Sequence, residues 1–342
     1  MPKPKLRPRF WWIADQFYLP RYVNRANTDI FFSPDTNLPI WHNHRIKAKT
    51  IATIHDLIPV AMKKSYRLPA DRALEQKVKF YSTKSANKII TISQYSKRDT
   101  SKYLGINPHK IDVVYEAADD SYKPVGDKIK SQIQNKFSGG KPYFLIVGDF
   151  YGRDPRKNYI LILDGYAKLQ SVGGRQSAVG DIISRPTTNN KRHTTNGRPC
   201  LLFVGRCGGH GNEYSIIKEQ AQKLGIAGNV IFTGFVPDDT LPKIFACAEA
   251  LLYPSRYEGF GLPIIQAMAS GCPIVTTRLT SIPEVAGNAA EYFDINNINS
   301  FTQAVINVIN NRQRYIKAGI VQAKKFSWAK SAKNIREIIK QI

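Results

Sequence analysis

With 342 residues and an apolar content of 42%, the chain is long enough for two globular domains with hydrophobic cores. No apolar run is long enough to span a bilayer, and no secretory signal opens the sequence. The net charge of +24 favours a polyanion, an anionic membrane surface or a phosphorylated substrate as the binding partner. The alternative is a general bias in composition that has no local meaning. Because no DNA- or RNA-binding signature accompanies the charge, the sequence disfavours a nucleic-acid partner.

The first part of the chain alternates short apolar runs with polar helical stretches. Residues 1–9 are basic and rich in proline, and residues 10–24 predict an aromatic helix that Pro20 interrupts. We expect Trp11 and Trp12 to belong to the part of this helix that packs in the core. The alternative is that they lie on a face that contacts a membrane surface. The predicted strands are 29–34, 50–54, 88–92 and 111–115, and the predicted helices between them are 72–85 and 95–103. Such alternation is typical of βαβ units in a parallel sheet.

A polar interval at 119–140 predicts a domain boundary, after which a second alternating series begins. Its predicted strands are 143–148, 201–205, 230–234, 250–253, 273–276 and 290–293. The interval 171–199 is rich in Gly, Ser, Thr, Asn and Arg and predicts a disordered insertion. We therefore expect a first domain at 1–125, a linker at 126–142, a second domain at 143–325 and, at 326–342, a helix that packs back towards the first domain.

The four cysteines follow neither a CxxC pattern nor a metal-ligand spacing: Cys200, Cys207, Cys247 and Cys272. We expect buried thiols in a reducing compartment, which indicates the cytoplasm.

A glycine-rich loop, Glu258-Gly-Phe-Gly-Leu-Pro263, follows a predicted strand and opens a predicted helix. The glycines allow the backbone to approach a ligand, and Pro263 suits the first position of the helix. Unpaired N–H groups at a helix amino terminus bind anions, while Glu258 and Gln266 can accept hydrogen bonds from hydroxyls. The loop therefore predicts a nucleotide-sugar site, with glycines that serve packing alone as the alternative.

Together with other segments, this loop resembles glycosyltransferase family 4, whose members are retaining enzymes of the GT-B fold. The loop is similar to the family's signature of two acidic residues spaced by seven. Further segments match in the expected order: 54–59 (IHDLIP), 85–93 (SANKIITIS), 155–158 (PRKN) and 281–285 (SIPEV). The resemblance covers the chain from about residue 10 onward. It implies an α/β protein with two doubly wound parallel-sheet, Rossmann-like domains that face a cleft.

The resemblance also implies roles for residues of the second domain. Arg156 and Lys157 would neutralise the donor diphosphate without a metal, as paired cations can. In isolation, an Arg–Lys pair in a loop is more often merely solvated. Glu258 would hold hexose hydroxyls. The backbone N–H groups offered to sugar and phosphate would be those of Gly259, Phe260, Gly261 and Leu262.

The remaining implied site residues are His55, Gly148, Val236 and Gln266. His55 would lie near the sugar and the acceptor, which makes it a catalytic residue together with Arg156, Lys157 and Glu258; a structural histidine is the alternative. Asp56 is expected to orient the loop rather than act as a base. Gly148, Val236 and Gln266 complete the implied donor-binding set.

The sequence departs from the family pattern in two places. Gln266 stands where a carboxylate normally holds the ribose diol, which predicts weaker donor binding. The chain begins near the family's aromatic helix, so we expect a first domain truncated at its amino terminus, without the usual first strand and glycine-rich loop. Such a truncation would weaken recognition of the acceptor in particular.

The resemblance implies a metal-independent retaining hexosyltransferase without a cofactor, for which GDP-mannose is favoured over UDP-sugars as the donor. The acceptor would be a glycan or a polyprenyl- or lipid-linked molecule in cell-surface polysaccharide or glycolipid synthesis. Transient contact with the anionic inner face of the membrane would suit such an acceptor. Two alternatives stay open: a catalytically impaired nucleotide-sugar-binding or regulatory homologue that needs a partner or a missing segment, and a nucleic-acid binder.

Overall fold

The structure is a computed structural model that describes residues 11–36, 38–39, 46–63, 69–172, 198–208 and 212–342. Residues 1–9 and most of the predicted insertion, 173–197, lie outside the described residues. The chain divides into two compact units. The first consists of 1–116, 258–260 and 328–342, and the second of 117–257 and 261–327.

The first unit contains a parallel sheet in which the strands lie in chain order. Among the described residues these strands are β1 (Ile30–Ser33), β2 (Lys49–Ile54), β3 (Lys88–Thr91) and β4 (Ile111–Val113). The helices are α1 (Trp11–Arg25), α2 (Ile58–Ala61), α3 (Ala70–Thr83), α4 (Gln94–Leu104) and, at the carboxyl terminus, α13 (Trp328–Lys340). Because all four strands are parallel, their carboxyl ends lie along one edge of the sheet.

The central strands of the first unit, β2 and β3, are buried because their apolar residues pack against helices on both faces of the sheet. Ala52, Ile54 and Ile89 form one cluster with Phe80 of α3. A second cluster joins Ile51, Ile90 and Val114 to Ile338 of α13, so the carboxyl-terminal helix covers part of this sheet. The apolar runs that predicted these strands are thus their buried faces.

The second unit contains a larger parallel sheet. Its described strands are β5 (Tyr143–Val147), β6 (Cys200–Val204), β7 (Val230–Gly234), β8 (Ala250–Tyr253), β9 (Ile274–Thr277) and β10 (Glu291–Phe293). They lie in the order β10-β9-β8-β5-β6-β7, all parallel. The strand order therefore reverses between β5 and β8, as in doubly wound dinucleotide-binding folds.

The helices of the second unit include one inside the interval expected to be a linker. They are α5 (Asp127–Ser138), α6 (Tyr159–Val172), α7 (Glu213–Lys223), α8 (Leu241–Cys247), α9 (Leu262–Ala269), α10 (Ile282–Ala286), α11 (Ile298–Asn310) and α12 (Arg312–Ala323). In α5, Ile129, Ile133 and Phe137 recur every four residues on a helix that is otherwise polar, and Ile133 is buried.

The predicted interruption of the first helix is wrong. Helix α1 continues through Pro20 to Arg25. A proline inside a helix loses one hydrogen bond and strains the turn before it, but it does not always end the helix. Among the described residues, no helix is long and apolar enough to cross a membrane.

All four cysteines are free thiols, as the sequence predicted. Burial raises the pKa of Cys200 and Cys247 to about 11 and that of Cys272 to about 12. Cys207 is less buried than the other three, and burial raises its pKa as well. The thiols of the second unit are therefore protonated at neutral pH.

We expect Gly165→Ala to destabilise the second unit. A Cβ at residue 165 of α6 would lie 2.2 Å from the ring of Phe301, which is fully buried in α11. Such overpacking costs about 1–3 kcal/mol, more than the roughly 0.5–1 kcal/mol that alanine gains over glycine in a helix. Urea unfolding measures the effect, and Gly228→Ala is the control because a Cβ there meets open space. Equal stability of the two variants would contradict this packing.

Candidate functional site

The reversal of strand order in the second sheet marks a place where a ligand can bind. In open α/β sheets, the helices after the two central strands lie on opposite faces, so a crevice opens at the carboxyl ends of those strands. Here the two strands are β5 and β8. The loop 148–158 follows β5, and the loop that begins at Pro254 follows β8. Arg156 and Lys157 lie on the first of these loops.

Lys157 is fixed at this edge by an aromatic residue of the neighbouring strand. Its Nζ donates a hydrogen bond to the hydroxyl of Tyr253 over 3.1 Å and lies 4.9 Å from the centroid of the same ring. Tyr253 ends β8 and is buried. The ring face and the hydroxyl both stabilise a cation. The side chain of Tyr253 thus positions the ammonium group, a role that sequence reasoning missed.

Arg156 connects the two loops. Its Nε lies 2.9 Å from the carboxylate of Asp154, and its Nη1 donates to the carbonyl of Tyr257 over 3.1 Å. The carbonyl of Arg156 accepts a hydrogen bond from the N–H of Arg256 over 2.8 Å. Part of the charge of Arg156 is therefore balanced by Asp154, and the side chain holds the loop after β8 against the loop after β5. Its contact with a diphosphate stays a prediction.

Glu213, in the first turn of α7, anchors the same loop from another side. Its carboxylate accepts a hydrogen bond from the N–H of Asp154 over 3.0 Å, and its own N–H donates to the carbonyl of Gly152 over 3.1 Å. The residue is buried, and burial raises the pKa of its carboxyl group. The loop with both cations is thus held from β8 and from α7.

Two glycines let β5 and β6 end in close contact. A Cβ at Gly205 would lie 1.7 Å from the carbonyl oxygen of Gly148, and one at Gly148 would lie 2.0 Å from the hydroxyl of Tyr159. Larger residues cannot occupy either position without moving the backbone or this tyrosine. Packing therefore accounts for Gly148, and its predicted contact with the donor stays a prediction.

The helix that was predicted after the glycine loop is present as α9. It begins at Leu262, has Pro263 in its first turn and is preceded by Gly261. Gln266 lies in this helix and is half-buried, whereas Val236, after β7, is buried. Gly261, Leu262, Gln266 and Val236 all belong to the second unit, and their donor contacts stay predictions.

Glu258, Gly259 and Phe260 belong to the first unit. The carbonyl of Gly259 accepts hydrogen bonds from the hydroxyls of Ser93 over 2.6 Å and Ser96 over 3.0 Å, at the start of α4. A Cβ at Gly259 would lie 2.4 Å from the carbonyl oxygen of His55, so glycine is required by a close backbone approach. Glu258 and Phe260 are both buried.

His55 follows β2 in the same unit. Its Nε2 lies 2.9 Å from the carbonyl oxygen of Pro34, and its Nδ1 lies 3.7 Å from the carboxylate of Glu116. The interaction with Glu116 raises the pKa of His55 to about 8, although burial acts in the opposite direction. Asp56 accepts a hydrogen bond from the N–H of Ile58 over 3.0 Å, which confirms its predicted part in orienting this loop.

The predicted site residues thus form two groups. His55 lies with residues 258–260 in the first unit, and Arg156 and Lys157 lie at the strand-order reversal of the second. Sequence reasoning missed Tyr253, Glu213, Asp154 and Glu116, which hold these residues in place.

Lys157→Ala and Glu258→Ala should each lower donor binding or turnover by more than about tenfold, because one removes a cation and the other a hydroxyl acceptor. Lys223→Ala is the matched control, since Lys223 is exposed in the last turn of α7. Glu258→Gln keeps the shape of this buried side chain and separates the loss of charge from misfolding, which thermal unfolding monitors. Wild-type behaviour of both alanine variants would contradict the assignment.

Two family models match the chain. The model described as glycosyl transferases group 1 matches residues 127–325, and the model described as glycosyltransferase family 4 matches residues 1–122. Among curated relatives, the chain is 28% identical over 304 residues to the O-antigen chain mannosyltransferase B of Escherichia coli, covering 87% of the chain and 71% of the relative. Some other curated relatives are longer, and the chain spans about a third of their length.

Solved structures show the same fold. The sucrose-phosphate synthase of Thermosynechococcus elongatus matches with a TM-score of 0.76 at 16% identity, covering 100% of this chain and 80% of that chain. Anabaena Alr3699/HepE in complex with UDP and glucose matches with a TM-score of 0.71 at 16% identity, covering 98% and 84%. The expected GT-B class, with two parallel-sheet α/β domains, is confirmed.

Proposed function

The chain belongs to the glycosyl transferases of group 1, and we propose that it transfers a hexose, with mannose favoured, from a nucleoside-diphosphate sugar to a glycan or lipid-linked acceptor. The observation that carries this proposal is the ammonium group of Lys157, which Tyr253 fixes at the strand-order reversal of the second sheet. A cation held at that edge suits the diphosphate of a nucleotide-sugar.

The proposed reaction breaks the bond between the anomeric carbon of the sugar and the diphosphate oxygen. The acceptor hydroxyl forms the new bond on the same face of the sugar, so the configuration is retained, and its proton leaves with the nucleoside diphosphate or to solvent. Negative charge then grows on the departing diphosphate, where a positioned cation stabilises the transition state without a metal. Lys157 supplies that charge, and Arg156 keeps the loops in register and adds to it.

The choice of mannose and of polysaccharide synthesis is supported by the relative named O-antigen chain mannosyltransferase B. HepE was solved with UDP and glucose, so UDP is the alternative nucleotide to test. We propose GDP-mannose as the donor. Gln266 in place of a carboxylate favours the alternative of a nucleotide-sugar-binding homologue with impaired catalysis.

We also propose action in the cytoplasm, in transient contact with an anionic membrane surface. Support comes from the net charge of +24 and from Phe17 and Tyr18, which are about half exposed on α1. Aromatic rings beside basic residues suit the headgroup region of a bilayer. The side chains of Trp11 and Trp12 lie outside the described part of the structure.

Calorimetric titration with GDP and UDP in the presence of EDTA tests the donor. We expect GDP to bind with a dissociation constant on the order of micromolar and UDP to bind more weakly, together with slow hydrolysis of GDP-mannose. The Lys157→Ala variant should lose the heat of GDP binding, and the Lys223→Ala variant should retain it.

Each other outcome of the titration has a definite meaning. Binding without hydrolysis or transfer would favour the regulatory alternative. Binding that appears only when Mg²⁺ or Mn²⁺ is added would overturn metal independence. Absence of binding to both nucleotides would overturn the proposed donor site.

Vesicle sedimentation tests the membrane contact. Vesicles with phosphatidylglycerol should retain the protein at low salt and release it as salt rises, and neutral phosphatidylcholine vesicles should not retain it. The double variant Phe17→Ser, Tyr18→Ser should bind more weakly than wild type. Equal binding to both lipids would contradict an electrostatic contact.

A further inference from the structure

The carboxyl edge of the first sheet brings together groups that follow each of its four described strands. Pro34 follows β1, His55 follows β2, Ser93 follows β3 and Glu116 follows β4. The imidazole of His55 lies between the carbonyl of Pro34 and the carboxylate of Glu116. Strand topology, rather than proximity along the chain, therefore creates this cluster.

The two partners favour a protonated ring. A backbone carbonyl can only accept a hydrogen bond, so the 2.9 Å contact with Pro34 places a proton on Nε2. The carboxylate of Glu116 lies 3.7 Å from Nδ1, which is longer than a hydrogen bond but close enough for its negative charge to favour a second proton there. Acceptor groups near both nitrogens therefore favour the imidazolium form.

The other charged groups near His55 are consistent with this arrangement. Asp35, next to Pro34, adds a second negative charge, although Lys79 of α3 lies 3.8 Å from its carboxylate. Asp56 accepts from the backbone of α2, and Glu258 precedes the glycine that packs on the carbonyl of His55. Of these carboxylates, Glu116 has the largest effect on His55.

We propose that Glu116 is a positioning residue that holds His55 as an imidazolium, and that the transfer reaction uses His55 in this charged form rather than as a base. The inference rests on the proposed function, because it assigns a state to a predicted catalytic residue of that site. A cation at this edge would favour bound anionic oxygens, such as those of a phosphorylated substrate.

NMR titration of His55 in the full chain tests the first part without any substrate. We expect a pKa of about 8 in wild type, and a fall of about one unit or more in Glu116→Gln, towards the usual 6.5. His55→Asn assigns the resonance. Asp112→Asn is the matched control, because Asp112 is also a half-buried carboxylate of this unit but pairs with Lys88 on the neighbouring strand. An unchanged pKa in Glu116→Gln would overturn the proposal.

The pH dependence of stability gives a second readout. Because folding raises the pKa of His55 from 6.5 to about 8, protonation stabilises the fold fully below pH 6.5, and this contribution is lost as the pH rises through 8. The melting temperature of wild type should fall over this range relative to that of Glu116→Gln. Parallel curves for the two proteins would contradict a charged His55.

The pH profile of donor hydrolysis or transfer tests the second part. Activity of wild type should decline as the pH rises through about 8, and the decline should begin about one unit lower in Glu116→Gln. Glu116→Asp should restore part of the shift. A changed pKa of His55 with an unchanged activity profile would overturn the role in catalysis.

Failure of wild type to bind GDP or UDP would instead overturn the proposed function, and NMR would still decide whether Glu116 holds the ring.

Discussion

The reversal of strand order between β5 and β8 is the constraint on which the second unit depends. It makes the loops after these two strands neighbours, although they are far apart in the sequence. The close approach of Gly148 and Gly205 keeps the ends of β5 and β6 together beside this opening. With the edge of the sheet fixed in this way, short side-chain contacts are enough to position the cations on the loop after β5.

Two adjacent cations of that loop differ in what surrounds them. The planar guanidinium of Arg156 contacts the carboxylate of Asp154 and the carbonyl of Tyr257. The contact with Tyr257 joins the two loops. Lys157 faces the ring and hydroxyl of Tyr253, which position its ammonium group. The two cations therefore depend on different neighbours in the fold, although the sequence presents them as one pair.

Much of the fold could be predicted from the sequence, because buried parallel strands appear as apolar runs and glycine and proline mark the start of α9. Helix α5 was missed because its apolar residues are few, and Pro20 suggested a break that α1 does not have. Most supports of the site could not be predicted, because they join distant residues: Lys157 and Tyr253 lie 96 positions apart. The state of His55 depends on Glu116, which only the sheet brings near it.

Burial of the cysteines determines how readily their thiols react. A thiol reacts with oxidants, alkylating agents and disulfides mainly as the thiolate, and burial makes that form scarce for Cys200, Cys247 and Cys272. Packing thus slows the reaction of these three sulfurs with oxidants and alkylating agents. Cys207 is less buried than the other three, so labelling or oxidation would begin there.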